Sequence, residues 1–176
     1  IACGNIGLPL CDVAIQEAKY DFLSLEVSSF QLETIIDFKP NVAILTNITP
    51  DHFDRYSSIK EYIAAKVRIF ENQSNDDWAV VQKETKDLLE KEGIKIRANL
   101  ITYSAADLSA DVYLKGQKII SRKRFLPREV LGMDSMKLKG SHNAENLMAT
   151  LIVSAIYKLP IKKVLSILRN YSPAPH

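Results

Sequence analysis

Apolar positions along this chain change period several times, and each change predicts an element. Leu10, Val13, Ala14 and Ala18 recur at helical spacing behind Pro9, which suits a first helical turn, so a helix is predicted over 8–19. Phe22 to Val27 reads as a strand with unlike faces: Leu23, Leu25 and Val27 on one, Ser24, Glu26 and Ser28 on the other. A short helix over 31–38 and a continuous apolar strand from Val42 to Thr46 follow. Two strands separated by a helical segment imply a parallel crossover between them.

Beyond a loop at 50–58, Ile59, Tyr62, Ile63, Lys66, Ile69 and Phe70 recur at three and four and predict a helix. A strand over 78–81, a helix over 85–92 ended by Gly93, and a strand over 100–103 continue the alternation. From Ala110 to Leu131 the pattern shortens to alternating stretches broken at Gly116, which predicts a small antiparallel sheet at the domain's edge. Gly140-Ser141 then opens a helix that reaches Lys158 and stops at Pro160, and 161–170 forms a last one. The fold class is therefore α/β: a three-layer, mostly parallel sheet with helices on both faces and a small antiparallel β element.

Composition narrows the class of partner. At 176 residues with 47% hydrophobic content the chain fits one domain, or one domain with a small appendage, with a sizeable core. The formal charge is only +2 with both signs mixed, so no nucleic-acid footprint is expected; Arg122-Lys123-Arg124 is the one dense basic patch. Cys3 and Cys11 sit among apolar residues, which fits a reducing, cytoplasmic setting better than a disulfide framework. No apolar run approaches the ~20 residues that span a bilayer, so no membrane partner is expected. The chain opens on Ile1 and stops within Tyr171-Ser-Pro-Ala-Pro-His176, which predicts a piece of a longer protein.

In an open parallel sheet, ligands bind beyond the carboxyl ends of the strands, where loops and helix N-termini expose donors. The first predicted strand ends in Glu26, Ser28, Ser29 and Gln31; the second ends in Thr46, Asn47, Thr49, Asp51 and His52. Both sets offer ligands for a hard cation and donors for a polar substrate. Glu26 also reads as an edge-exposed carboxylate, and His52 as a solvated loop histidine or a cap. Lys66 lies on the apolar stripe of its helix, so it must snorkel, pair, or lose its proton. A deprotonated lysine can add carbon dioxide, and the resulting carbamate is an oxygen ligand for Mg2+. Asn143 and Asn146 are three apart in a first helical turn, so their amides share a face and offer the donor and acceptor that an adenine edge requires; capping by Ser141 or Asn143 is the plainer reading. Asn5, in Gly4-Asn-Ile-Gly7, either caps the next helix or meets a ligand. No Gly-x-x-x-x-Gly-Lys-Ser/Thr phosphate loop occurs in the chain.

Taken together, five blocks resemble the Mur ligase family of ATP-dependent amide-forming enzymes. They are Gly4-Asn-Ile-Gly-Leu-Pro9, Leu25-Glu-Val-Ser-Ser-Phe-Gln-Leu-Glu33, Thr46-Asn-Ile-Thr-Pro-Asp-His-Phe-Asp-Arg55, Ala64-Ala-Lys-Val-Arg-Ile-Phe-Glu71 and Lys139-Gly-Ser-His-Asn-Ala-Glu-Asn146. The resemblance implies a P-loop NTPase-like central ATP-binding domain over 1–172, with 173–176 opening a linker to a C-terminal domain and the phosphate loop upstream of Ile1. Phe30-Gln31 after the paired serines favours the D-glutamate-adding branch, where relatives that add diaminopimelate or lysine usually carry histidine. In that branch ATP phosphorylates the carboxylate of UDP-N-acetylmuramoyl-L-alanine, and D-glutamate attacks the acyl phosphate. Carried over by position, Glu26 binds Mg2+ between the ATP phosphates, while His52 and a carbamate on Lys66 hold a second Mg2+. Asn5, Ser28 and Gln31 match substrate contacts, Asn143 and Asn146 match adenine-side asparagines, and His176 matches the first residue of a His-Arg pair. The full-length enzyme is expected to be a cytoplasmic monomer and this piece alone to be inactive. Another Mur-type ligase, a folylpolyglutamate-type ligase and a non-catalytic nucleotide-binding module are the alternatives.

Overall fold

The structure is a computed structural model and describes residues 1–49 and 55–171, so His52, Asp51 and His176 lie outside the described residues. The chain divides into two compact units, Ile1–Lys39 with Pro50–Asn72, and Pro40–Thr49 with Gln73–His176.

The first unit is built on two short parallel strands, β1 (Ala2–Gly4) and β2 (Ser24–Glu26), in register from Ala2 opposite Ser24 to Gly4 opposite Glu26. Helix α1 (Leu10–Ala14) connects them. A three-residue strand is too short for period-two reading, which is why β1 is absent from the sequence prediction. Helix α1 covers less than the predicted 8–19 because Val13 is its one buried residue. A single helical turn without a packed face has little to sustain it. Helix α2 (Ser29–Leu32) starts earlier and ends sooner than the predicted 31–38. The carbonyls that would have continued it are engaged by side chains instead: Arg68 donates to Glu33 O and to Ile35 O (2.8 Å), and Asn72 to Ile36 O and Phe38 O (2.6 and 3.0 Å). Helix α3 (Ile59–Val67) is capped by Ser58, whose Oγ accepts from Glu61 N at 3.3 Å, and runs into a 3-10 turn over Arg68–Phe70. Cys3, Val13, Leu32, Tyr62, Ile63 and Phe70 form the buried interior of this unit.

The second unit carries a six-stranded sheet in sequential order: β3 (Val42–Leu45), β4 (Trp78–Gln82), β5 (Asn99–Ser104), β6 (Val112–Lys115), β7 (Lys118–Ser121) and β8 (Glu129–Gly132). Pairing is parallel from β3 to β6 and antiparallel from β6 to β8. The predicted antiparallel element is thus present, but as a continuation of the main sheet, since Tyr103 and Val112 pair in parallel. Among the described ladders β2 pairs with β1 and β3 with β4; the predicted β2-to-β3 crossover is replaced by β1–α1–β2.

Helices α4 (Lys83–Lys91), α5 (Ser141–Ile156) and α6 (Ile161–Asn170) complete this unit. Ala79, Val80 and Val81 of β4 are all 0% exposed, which requires cover on both faces of the strand. On one face Val80, Ile101, Tyr103 and Val112 pack with Leu147, Met148, Leu151 and Ile152 of α5; α4 also rests on β4 and β5. Gly93, at φ +75°, closes α4 with Ile94 N donating to Leu89 O (2.9 Å) and Gly93 N to Glu90 O (3.0 Å). The same closure ends α5, with Leu159 N on Ser154 O at 2.8 Å, but there the left-handed position holds Lys158 (φ +54°). No described helix is long and apolar enough to cross a membrane.

Candidate functional site

Close backbone approach shapes the carboxyl ends of β1 and β2. Gly4 sits at φ +123°, and a Cβ there would lie 2.1 Å from Glu26 O. Only glycine fits. The chain can therefore fold across the end of β2, where Asn5 N donates to Glu26 O (2.9 Å) and Asn5 Nδ2 to Glu26 Oε1 (3.3 Å). Two of the predicted site residues are thus joined, with the Glu26 carboxylate exposed.

Ser28 and Gln31 are joined as well, by a capping box. Gln31 N donates to Ser28 Oγ (3.3 Å), while Gln31 Oε1 accepts from Ser28 N (2.9 Å) and Ser28 Oγ (3.1 Å). The Ser-x-x-Gln spacing is the local signal for this arrangement. It leaves Gln31 Nε2 without a partner among the described residues, ready to donate to a ligand.

Lys66 lies in the last turn of α3, half-buried, with Nζ 4.8 Å from the centroid of the Tyr62 ring. The helical spacing of four puts the ring beneath the amine, where its π-face holds a cation. The Tyr62 ring meets Tyr56 at 5.3 Å, and Tyr56 stacks on Phe30 of α2 at 6.0 Å and 13°. Below this row of rings, Glu33 accepts from Arg55 Nε (3.3 Å), Arg55 Nη2 (2.5 Å) and Tyr56 Oη (2.7 Å). The Arg55 hydrogen bond, then that of Tyr56, holds the Glu33 carboxyl below its ordinary range, and burial pushes the Tyr56 hydroxyl up. Arg55 and Tyr56 follow directly on 50–54, so this clamp fixes the described chain next to the segment that contains His52. In the sequence Phe30 marks the branch of the family and Tyr62 the period of its helix, and neither was expected to line this row of rings; Tyr62 was legible from its spacing to Lys66, whereas Glu33 and Arg55 stand too far apart for any local signal.

In the second unit, α5 opens at the carboxyl ends of β4 and β5. Glu145 pins it there, with Oε2 accepting from Gln82 Nε2 (3.1 Å) and Oε1 from Ala105 N (3.1 Å). Burial, then the carboxylates of Glu145 and Glu84, push the Tyr103 hydroxyl well above its ordinary range. Asn143 Nδ2 donates back to Lys139 O (2.8 Å), and Asn146 Nδ2 meets His142 Nε2 (3.3 Å). Asn143 is thus held in the first turn of α5 and Asn146 in the second, one turn later than the expected shared first turn, and among the described residues each keeps its amide oxygen for a donor. His142 is four residues from Asn146, a same-face spacing that sequence reasoning did not use.

Among the described residues no cluster of three or more His, Cys, Asp or Glu side chains is arranged to hold a metal ion by itself. Glu26 instead offers a single exposed carboxylate beside an amide at parallel strand ends. That donor set suits Mg2+, which takes one or two protein carboxylates and completes its shell with water and substrate phosphates.

Comparison with known proteins bears on the family of the chain. The model of the Mur ligase middle domain matches residues 4–154. The UDP-N-acetylmuramoylalanine--D-glutamate ligase of Geotalea uraniireducens (strain Rf4) is 38% identical over 174 residues, which are 98% of this chain and 38% of that protein. The chain therefore spans about two fifths of that relative's length. Among solved structures, a UDP-N-acetylmuramoyl-L-alanyl-D-glutamate--2,6-diaminopimelate ligase superposes with a TM-score of 0.67 at 24% identity, covering 88% of this chain and 33% of its own. The MurF ligase of Thermotoga maritima in complex with ADP gives a TM-score of 0.55 at 20% identity, covering 78% of this chain and 32% of its own. On this evidence the chain belongs to the Mur ligase middle-domain family.

Proposed function

We propose that residues 1–172 form the central, ATP-binding domain of a longer ligase that joins D-glutamate to UDP-N-acetylmuramoyl-L-alanine in peptidoglycan precursor synthesis. In this reading 173–176 begin a linker. What carries it is the match to a D-glutamate ligase along 98% of the chain, through both units. Glu26, held by Asn5, is the carboxylate for a Mg2+ between ATP phosphates; His52 and Lys66, the latter as its carbamate, would hold a second. Bound Mg2+ would neutralise the repulsion between the substrate carboxylate and the triphosphate.

The chain's own residues supply orientation. Gln31 Nε2 and Asn5 face the muramoyl-alanine substrate and align its carboxylate with the γ-phosphate, which converts an encounter between anions into a positioned reaction. Asn143 and Asn146 receive the adenine edge at the start of α5. Tyr62 packs against the Lys66 side chain, and the Glu33–Arg55–Tyr56 clamp ties down the chain that follows residue 54. Ligation then requires the remainder of the protein, a cytoplasmic monomer in this reading; free thiols at Cys3 and Cys11 fit a reducing compartment.

The full-length enzyme, given ATP, Mg2+ and UDP-N-acetylmuramoyl-L-alanine, is expected to release phosphate with D-glutamate and not with diaminopimelate, L-lysine, or a folate plus L-glutamate. Turnover with any of those in place of D-glutamate would refute the assignment.

A further inference from the structure

We infer that the antiparallel end of the sheet carries a second anion site, one that takes a small molecule with two or more phosphate groups. A cleft of about 560 Å³ opens there, lined by Tyr113, Ser121, Arg122, Lys123, Arg124 and Arg128 among others, with no carboxylate in its lining. None of Asn5, Glu26, Lys66, Asn143 or Asn146 lines it.

Four cations in one cleft repel one another, an effect that water and salt screen in part and that a bound anion would remove. Neutralisation is partial. Asp111 reaches Lys123 Nζ at 3.2 Å, but its other oxygen is committed to Thr102 N and Oγ1 (2.9 and 3.2 Å). The nearby Glu129 pairs instead with Lys118, at 3.1 Å. Arg122 is braced, its guanidinium donating to Ala110 O and lying 4.4 Å over the Tyr113 ring. Arg124 and Arg128 are exposed and have no carboxylate partner among the described residues. The cleft thus holds one guanidinium fixed on an aromatic face and two with unengaged forks.

Guanidinium forks match the paired oxygens of phosphate, and a braced arginine loses little freedom on binding. Spacing over several cations favours a diphosphate or triphosphate over a single phosphate. Nucleic acid is a poorer fit, because the chain as a whole carries only +2.

Equilibrium dialysis of the full-length protein with labelled inorganic pyrophosphate tests this, with a non-hydrolysable ATP analogue added to fill the nucleotide site. Wild type is expected to bind pyrophosphate more tightly at low salt, with citrate a weaker competitor. The double variant Arg124→Gln/Arg128→Gln is expected to bind about tenfold more weakly or worse, while its thermal unfolding is unchanged. If the double variant does not fold, the single variants Arg124→Gln and Arg128→Gln carry the comparison. Equal pyrophosphate affinity in wild type and variants, no binding at all, or citrate binding tighter than pyrophosphate would each overturn the proposal. The readout is binding, so its failure is separable from failure of the ligase reading.

Discussion

Glu33 shows how one side chain can tie together parts of the chain that stand far apart in sequence. Its carboxylate gathers Arg55 and Tyr56 and is held below the ordinary glutamate range by them. A group depressed in the folded state contributes stability above its unfolded value, and that contribution is lost as pH falls through the folded value. The stability difference between wild type and Glu33→Gln, followed by denaturant titration, is therefore expected to be largest near neutral pH and to shrink below about 4.5. A difference that grew on acidification would be incompatible with the clamp. At this scale the sequence was informative where chemistry is local: Glu26 and Gln31 stand at strand and helix ends as expected. It was silent on the Glu33–Arg55 pair and on Glu145 with Gln82, because those partners meet only through the fold.

Single elements turn on backbone conformations that few residues accept. Gly4→Ala would drive a Cβ into Glu26 O, at a position already in the left-handed region. A loss of about 2 kcal/mol or more is expected by chemical denaturation, accompanied by a fall in activity because Asn5 and Glu26 move apart. Lys158→Gly is expected to act in the opposite sense, raising stability by roughly 0.5–1 kcal/mol, since the closing turn of α5 already has φ +54° there. Melting curves of the two variants in the full-length enzyme separate these outcomes. Element boundaries were legible where the apolar period is regular or a stop residue follows: α6 spans the predicted 161–170 with Ile161, Val164, Leu165 and Leu168 partly buried on one side, and α4 closes at Gly93. They failed in the first unit, where α1 buries only Val13 and where Arg68 and Asn72 take the carbonyls of the segment after α2.

For the whole molecule, alternating strands and helices predicted an α/β architecture, which the mostly parallel sheet and its helices bear out, with β4 of the second unit covered on both faces. Division into two units and the continuity from β5 into β6 depend on long-range pairing, which periodicity cannot encode. Residues of both units enter one proposal, that this domain supplies Mg2+ ligands and positioning groups to an ATP-dependent ligase. Its sharpest test is Lys66→Ala in the full-length enzyme, assayed for D-glutamate-dependent phosphate release with and without added short-chain carboxylic acids. A fall in kcat of about a hundredfold or more, partly restored by the acid, is the predicted result. Turnover equal to wild type would contradict it.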